Sequence, residues 1–457
     1  MILNIILIAV LSTIVINVYC RDYFRGMYLS IFLLLSLPTN LSIEISAAMP
    51  SITIHRVILL VMLLFWIQNR NTRISTFIHS PFSSVLTLFF ISMFISFLFS
   101  DIFIISSKRY LYYVFESFMF YAILITSIAE RKQLLNIILS VAFGICFTSL
   151  LGVIERYTGF QVIRMFGERL EYGINSVRNY TTDNMILSVY PHRILFGISC
   201  AVGLVYFLYL PELIKRRWTF FHWFLPVLIV SAALYFSVSR GPWLGCMLAI
   251  GFSTVVNPRR FMKKSVMLGI LVIVAFSLRP GTLETITNLY HSTVDSSTLK
   301  GSSFRWRFSV VNVAVDQILN TGIEHFFFGY GAGSHLYAEP VYIVTSTGHD
   351  VALDSWDCEY AIILYESGIL GMLCVVCLYT MILIRGMLYI LKHPDDKLLM
   401  SLAISALLVI MFMKTNVSFF ASQLSYIEYT NIAVVCILLM QERKSPGSLD
   451  TVSAAQG

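Results

Sequence analysis

Apolar runs long enough to cross a bilayer follow one another along almost the whole chain. About 13 of them can be counted, each of roughly 15 to 24 residues. Two of these runs, around positions 41–56, are short. The sequence therefore predicts an all-α polytopic membrane protein with about 13 transmembrane helices, within a range of about 12 to 14. One hydrophilic stretch, from Arg279 to Trp356, interrupts the pattern and predicts a large extramembrane loop.

The composition excludes a soluble globular protein. Hydrophobic residues make up 57% of the 457 residues and charged residues only 12%, with a mean hydropathy of +0.78. Charged residues alone reach about 25% in soluble domains. The first apolar run, Ile2 to Tyr19, lacks a basic leader and a small-residue cleavage site, so we expect a retained span and not a signal peptide.

Basic residues mark alternate connections between the apolar runs. The positive-inside rule makes those connections cytoplasmic and the others periplasmic. The cytoplasmic group comprises Arg21 and Arg25, Arg70 and Arg73, Arg131 and Lys132, Lys215 to Arg217, Arg259 to Lys264, Arg385 to Lys397, and Arg443 with Lys444. The net charge of +7 is mostly this topological signal, so the sequence does not indicate nucleic-acid binding.

Spans and loops together predict the organisation of the chain. The segments are N-terminal transmembrane helices (1–154), a periplasmic loop (155–192), central transmembrane helices that contain Ser239-Arg240-Gly241 (193–278), the large periplasmic loop (279–356), C-terminal transmembrane helices (357–444) and a cytoplasmic tail (445–457). No internal repeat is evident, which argues against a transporter built from inverted repeats.

The large loop contains a helical pattern followed by a glycine-rich turn. Apolar residues from Phe304 to Ile318 recur every three or four positions, which predicts an amphipathic helix that ends near Asn320-Thr321-Gly322. With a cap at Ser302-Ser303, its first turn would carry Arg305 and Arg307 and could hold an anion. The run 329–333, Gly-Tyr-Gly-Ala-Gly, permits either a tight turn or a close backbone approach to a ligand.

Cysteines and histidines give no sign of a metal site. Most of the eight cysteines lie in apolar runs, and Cys374 and Cys377 form an isolated CxxC that suits small packing residues. His335 and His349 lie in the loop without ligand spacing, and we expect them to be solvated.

Several of these pieces together resemble one family. The resemblance covers roughly 174–384, and its residues are Arg178, Pro191-His192-Arg193, Ser239-Arg240-Gly241, Arg307, Ala314, Gly329-Tyr330-Gly331, Asp357, Tyr360, Leu364, Glu366, Gly368 and Gly371. In this order they resemble the O-antigen ligase and O-antigen polymerase superfamily. The resemblance implies a membrane-embedded glycosyltransferase fold and the transfer of glycans from polyprenyl pyrophosphate at the periplasmic face of the bacterial inner membrane.

That chemistry assigns candidate roles to arginines. A donor of this kind has a good leaving group, so the protein must hold two lipid-linked substrates and neutralise the departing diphosphate. The planar, permanently charged guanidinium suits phosphate oxygens. The candidates are Arg240, Arg307, Arg305 and Arg178, and the alternative for each is a snorkelling or loop-solvating arginine.

A carboxylate is the candidate for the base that takes the acceptor proton. Asp357 stands where ligases of the family have a histidine, and a carboxylate at a low-dielectric boundary can accept a hydroxyl proton. Glu359 and Glu366 are the rivals. We expect Glu366 to lie two to three helical turns deeper and to pair with a buried donor, and Asp357 could instead cap a helix that begins at Cys358.

The sequence thus predicts a metal-independent glycosyltransferase without a cofactor. It would polymerise lipid-linked oligosaccharide repeat units into exopolysaccharide, capsule or O-antigen. Alternatives are an O-antigen ligase that transfers glycan to lipid A core and a lipid-linked oligosaccharide flippase. The expected partners are the glycan donor and acceptor, the bilayer, a polysaccharide flippase and a chain-length regulator.

Overall fold

The structure is a computed structural model. It describes residues 2–43, 51–69, 74–166, 186–214, 220–277, 299–338, 341–344, 350–353, 356–394, 396–418 and 423–444. Arg178 and His349 lie outside these ranges. Helices dominate the described residues, together with two antiparallel pairs of strands, Ser42–Ile43 with Ile52–Thr53 and Val341–Val344 with Asp350–Leu353.

The N-terminal half consists of helices that follow the apolar runs. They are α1 (Ile2–Arg21), α2 (Tyr23–Ser36), α3 (Ile54–Gln68), α4 (Ile74–Ile78), α5 (Ser83–Leu98), α6 (Phe103–Tyr113), a π-helical segment (Val114–Met119), α7 (Phe120–Ser127) and α8 (Arg131–Thr158). A 3-10 turn at Val162–Phe166 follows α8. Helix α8 therefore continues into the segment 155–192 that the sequence predicted to be a loop.

The C-terminal half contains the longer helices. They are α9 (Arg193–Leu213), α10 (Phe220–Phe236), α11 (Arg240–Val256), α12 (Pro258–Ser277), α13 (Leu299–Leu319), α14 (Ile323–Phe328), a 3-10 turn (Ser334–Leu336), α15 (Glu359–Lys392), α16 (Lys397–Met413) and α17 (Gln423–Lys444). The basic residues from Arg259 to Lys264 thus lie within the first turns of α12, not in a loop.

The fold is a multi-pass helical architecture, as the composition predicted. Six helices among the described residues are long and apolar enough to cross a membrane, and six shorter apolar helices have 10 to 17 residues. A helix of 14 residues such as α2 is about 21 Å long, less than the hydrocarbon thickness of about 30 Å. The count of about 13 spans stays a prediction.

Helix α9 forms the centre of the bundle. In its most apolar stretch 89% of the residues are buried. Tyr206, Phe207 and Tyr209 on this helix are fully buried, and the Tyr206 hydroxyl donates to Oδ1 of Asn431 on α17 at 3.0 Å. A polar contact at this depth fixes the register of the two helices, because an unmatched partner would be costly in lipid.

One end of the bundle gathers several of the basic connections. Lys264 Nζ lies 2.9 Å from Glu212 Oε1, Lys397 Nζ donates to the carbonyl oxygen of Val256 at 2.8 Å, and Arg131 forms an ion pair with Asp396. We call this end the basic face. It contains segments that the sequence assigned to the cytoplasm.

Helix α15 bends sharply at Gly368. This residue has φ 64° and ψ −167°, which is not helical. Glu359 and Tyr379 are 20 residues apart, so a straight helix would separate them by about 30 Å. Both nevertheless contact Lys414: its carbonyl oxygen accepts from Glu359 N at 2.9 Å, and its Nζ lies 5.7 Å from the centre of the Tyr379 ring. The chain must therefore fold back at Gly368.

Candidate functional site

Several helix ends meet at the end of the bundle opposite the basic face. Ser239 precedes α11 as its N-cap, so Arg240 is the first residue of that helix. The first turns of α9 and α11 touch, because a Cβ at Gly197 would lie 2.9 Å from Pro242. A Cβ at Gly241 would lie 2.9 Å from Cε of Met413, at the end of α16. We call this end the site face.

Two arginines and a histidine lie together on the site face. Arg240 is exposed, and the Arg193 guanidinium is close enough to repel it electrostatically. Burial lowers the pKa of the His192 imidazole to about 4, and the positive charge of Arg193 makes a smaller contribution in the same direction. The imidazole is therefore neutral at pH 7, and Nδ1 accepts from Ile194 N at 3.2 Å. The positive charge at this point comes from the two guanidinium groups, which a diphosphate could bridge.

Helix α13 is the predicted amphipathic helix of the large loop. Its end at Leu319 agrees with the sequence, but it begins at Leu299, before Ser302 and Ser303. The expected serine cap and the first-turn position of Arg305 and Arg307 are therefore wrong. The reason is that a favourable cap residue also occurs inside helices when neighbouring packing extends them. Of the Arg305 side chain the structure describes nothing.

Arg307 lies close to the start of α15. Its side chain is half-buried, and it acts electrostatically on the Cys358 thiol. The Arg307 Nε is buried and has no hydrogen-bond partner among the described residues. Val310 and Ala314, one and two turns further along α13, pack against Trp356 in a small apolar cluster. This packing fixes Arg307 beside the segment that contains Asp357.

Asp357 remains accessible beside α15. It is half-buried, and the N-cap of the helix is Cys358, without a side-chain capping bond. Asp357 therefore precedes the N-cap by one residue, and the capping alternative stays open. Burial raises the pKa of the Cys358 thiol, so this neighbour is protonated at neutral pH and is a poor nucleophile. Of the two carboxylates beside the start of α15, Asp357 is half-buried and Glu359 is buried.

Glu366 is engaged by the large loop. Its Oε1 lies 2.6 Å from Nδ1 of His335 and accepts from Gly333 N at 2.5 Å. Glu366 thus pairs with buried donors, as expected, and its depth in the membrane stays a prediction. Because α15 folds back at Gly368, Glu366 lies at the bend, where its carbonyl oxygen accepts from Ser96 Oγ near the end of α5. His335 is buried, with 6% of its surface exposed, and not solvated as predicted.

The glycine-rich turn packs against protein and not against an open space. Gly329, Gly331 and Gly333 all have positive φ. A Cβ on Gly329 would lie 2.5 Å from the backbone carbon of Glu366, and one on Gly331 would lie 2.5 Å from Ser106 Oγ. The close backbone approach predicted here is therefore an approach to α15 and α6. The aromatic rings of Tyr330 and Tyr365 stack above it at 4.6 Å.

Sequence reasoning missed a buried charged cluster below Glu359. Lys414 Nζ lies 3.0 Å from Glu428 Oε1, and both side chains are almost completely buried. The Tyr379 hydroxyl also donates to Glu428 Oε1. Glu359, Lys414, Glu428 and Tyr379 line a cavity. Its other walls come from α5, α6, the π-helical segment, α17 and the parts of α15 before and after Gly368, which we call its two legs. The signal was present in the sequence, because ionisable residues next to apolar spans indicate function or pairing.

Within the described ranges, no group of three or more His, Cys, Asp and Glu side chains is arranged to hold a metal ion. The site face instead contains positive charge at Arg193 and Arg240, and at Arg307 beside the segment that contains Asp357. Such a site can bind an anion and accept a proton from a hydroxyl group.

One family model matches part of the chain. Residues 225–376 match the family model described as O-Antigen ligase, which covers about a third of the sequence. The matched segment includes Arg240, Arg307, Asp357 and Glu366. This segment is therefore similar to the O-antigen ligase family, and the apolar helices indicate a multi-pass membrane protein. No curated protein matches the sequence.

Proposed function

We propose that this protein is a glycosyltransferase of the bacterial inner membrane that polymerises lipid-linked oligosaccharide repeat units. The donor is a glycan on polyprenyl pyrophosphate, the acceptor is a hydroxyl group of another lipid-linked repeat unit, and the product is an exopolysaccharide, capsule or O-antigen. The proposal rests on two groups at the same end of the bundle: Arg240 beside Arg193, and Arg307 beside the segment that contains Asp357. Residues 225–376, which include Arg240, Arg307 and Asp357, match the O-antigen ligase family model.

The arginines would bind the diphosphate of the donor. Arg240 is exposed beside Arg193, so two guanidinium groups at this point can share one anion. Arg307 approaches from α13 with a buried Nε that no described group binds. As the glycosidic bond breaks, negative charge develops on the leaving diphosphate, and guanidinium groups fixed in advance stabilise it. Arg305 and Arg178 stay candidates for the same role.

Asp357 would act as the general base. It is half-buried and lies next to Cys358, on which Arg307 acts, whereas Glu366 binds His335 and Gly333 and Glu359 is buried. In the transfer step the acceptor oxygen attacks the anomeric carbon of the donor sugar and its proton moves to Asp357. The bond between that carbon and the diphosphate oxygen breaks, and polyprenyl pyrophosphate leaves.

A ligase is the second candidate, because the matching family model bears the description O-Antigen ligase. In that reaction the same donor would transfer its glycan to lipid A core. We favour the polymerase because Asp357 stands where ligases of the family have a histidine. A flippase is disfavoured by the absence of a recognisable repeat in the sequence. A polysaccharide flippase and a chain-length regulator are proposed as functional partners of the polymerase.

The glycan phenotype of a gene deletion separates these functions. For a polymerase, we expect cells to accumulate single repeat units on polyprenyl lipid and, in O-antigen producers, on lipid A core. Long polymer that stays on polyprenyl lipid would show a ligase instead. Absence of any repeat unit at the outer face of the membrane would favour the flippase.

The side of the membrane on which transfer occurs can be tested by cysteine labelling of intact cells. Tyr337 is 59% exposed in the large loop, and Lys263 is exposed on the basic face. We expect Tyr337→Cys to react with an impermeant reagent and Lys263→Cys to be protected, in a background without the exposed Cys20 and Cys377. The opposite pattern would contradict a periplasmic site.

A further inference from the structure

Lys414 and Glu428 form a buried ion pair next to the candidate site, and neither residue has a role in the proposed transfer step. The Lys414 ammonium and the Glu428 carboxylate are 3.0 Å apart, with side-chain exposures of 9% and 6%. Both residues lie outside the segment that matches the family model. Charges of this kind are rare between apolar helices, and a pair that contributed only packing could be replaced by apolar side chains.

Lys414 connects two parts of the site through its backbone and its neighbour. Its carbonyl oxygen accepts the hydrogen bond of Glu359 N at 2.9 Å, at the first turn of α15. The preceding residue, Met413, packs against Gly241, which follows Arg240. The end of α16 is therefore in contact with the arginine side of the site and with the carboxylate side.

The Lys414 side chain links α16 to α15 and α17. Its ammonium pairs with Glu428 on α17 and interacts electrostatically with Glu359 and Tyr379. Glu428 also accepts from the Tyr379 hydroxyl, which belongs to the second leg of α15. Three helices are thus tied to a single ammonium group. Two carboxylates, at Glu359 and Glu428, face this cation, so its loss would leave buried negative charge that pushes the segments apart.

We propose that Lys414 is a positioning residue, which through its ion pair with Glu428 fixes the distance between Arg240 and Asp357. The inference rests on the proposed function, because it assumes that these two residues serve one transfer step. Lys414 does not touch the substrates. A displacement of the base by about 1 Å can cost about 100-fold in rate, so a residue of this kind acts on kcat.

The test uses the full-length protein purified in detergent and the polyprenyl-linked repeat units that accumulate in the deletion strain. Lys414→Met removes the ammonium and keeps the length of the side chain. We expect kcat to fall by about 10- to 100-fold, with the KM for the donor unchanged within about twofold, because the arginines are retained. Lys414→Arg should recover part of kcat, since it keeps the charge.

The matched control is Lys397→Met, at the opposite end of the same helix. The Lys397 ammonium is half-buried and donates to the carbonyl oxygen of Val256 at 2.8 Å. We expect this variant to keep the kcat of the wild type. If Lys414→Met does not fold, Glu428→Gln decides: a loss of kcat at unchanged donor KM supports the proposal, and kcat equal to the wild type overturns it.

Arg240→Ala and the wild type, measured in the same assay, distinguish a failure of the positioning role from a failure of the proposed function. If Arg240→Ala is inactive while Lys414→Met matches Lys397→Met, only the positioning role is overturned. If the wild type itself makes no polymer from these repeat units, the proposed function is wrong, whereas full activity of Arg240→Ala would remove only Arg240 from the proposed donor site. A variant of Lys414 whose kcat and donor KM change together would also overturn the positioning role, because that pattern indicates a disturbed donor site.

Discussion

The bend of α15 at Gly368 should be the most sensitive backbone position of the protein. We expect Gly368→Ala to destabilise the fold for two reasons. Its φ and ψ values of 64° and −167° fall in a region that only glycine adopts readily, which costs about 1 to 3 kcal/mol for another residue. The new methyl group would also lie 2.5 Å from the carbonyl oxygen of Phe327 and 2.6 Å from Gly329 N.

The steric overlap adds to the cost of the backbone conformation, because the backbone atoms of Phe327 and Gly329 cannot move aside easily. Overpacking of this kind costs about 1 to 3 kcal/mol, so the total is about 2 to 6 kcal/mol. Thermal unfolding in detergent, followed by tryptophan fluorescence, measures the change. Gly251→Ala is the control, because a Cβ at Gly251 on α11 meets nothing within 4 Å and alanine favours a helix by about 1 kcal/mol.

Glycan synthesis should be lost together with stability in Gly368→Ala, because the bend sets the direction of the leg that begins beside Asp357. The reasoning would be refuted if Gly368→Ala melted and synthesised polymer like Gly251→Ala. That outcome would mean that α15 can pass the large loop without folding back.

Three further predictions concern single side chains of the site face. Arg240→Ala and Arg307→Ala should abolish transfer at normal protein levels, and lysine should restore it only in part because it lacks the planar fork; full activity of both alanine variants would contradict the donor site. Asp357→Asn should lower the rate by about 10²- to 10⁴-fold while Asp357→His restores some turnover, and near-normal synthesis by Asp357→Asn would point to Glu359. The lowered pKa of His192, about 4, means that the unfolded chain binds the proton first, so stability should fall as the pH drops from about 6.5 towards 4, by up to about 3 kcal/mol. His192→Asn, which keeps a capping side chain, should flatten this part of a melting-temperature profile, and an unchanged slope would contradict the assignment.

The sequence predicted the helical, multi-pass fold because apolar length is a local property of the chain. The amphipathic stripe from Phe304 to Ile318 likewise predicted α13, although its start was misplaced. The bend at Gly368 could not be predicted in the same way, since one glycine in an apolar run is compatible with a continuous helix. Its conformation is fixed by contact with Gly329, which lies in a different part of the chain.

In the candidate site too, local sequence features could be predicted, but contacts between distant parts of the chain could not. Arg240 and Asp357 were proposed from residue type, order and family resemblance, all of which are visible in the sequence, and their roles stay predictions. The partners of Glu366 were not recognised, because His335 and Gly333 are more than 30 residues away in the chain. Lys414 and Glu428 were missed for a similar reason: each lies at the border of an apolar run, and only the packing of α16 against α17 brings them together.

The central claim is that the protein joins lipid-linked repeat units to one another. The most direct measurement supplies the purified protein with polyprenyl-linked repeat units and follows both the glycan and the released polyprenyl pyrophosphate. We predict a ladder of glycans in which each new bond releases one polyprenyl pyrophosphate, and no ladder with Arg240→Ala. The account would be contradicted if the wild-type protein made no ladder but transferred glycan to added lipid A core.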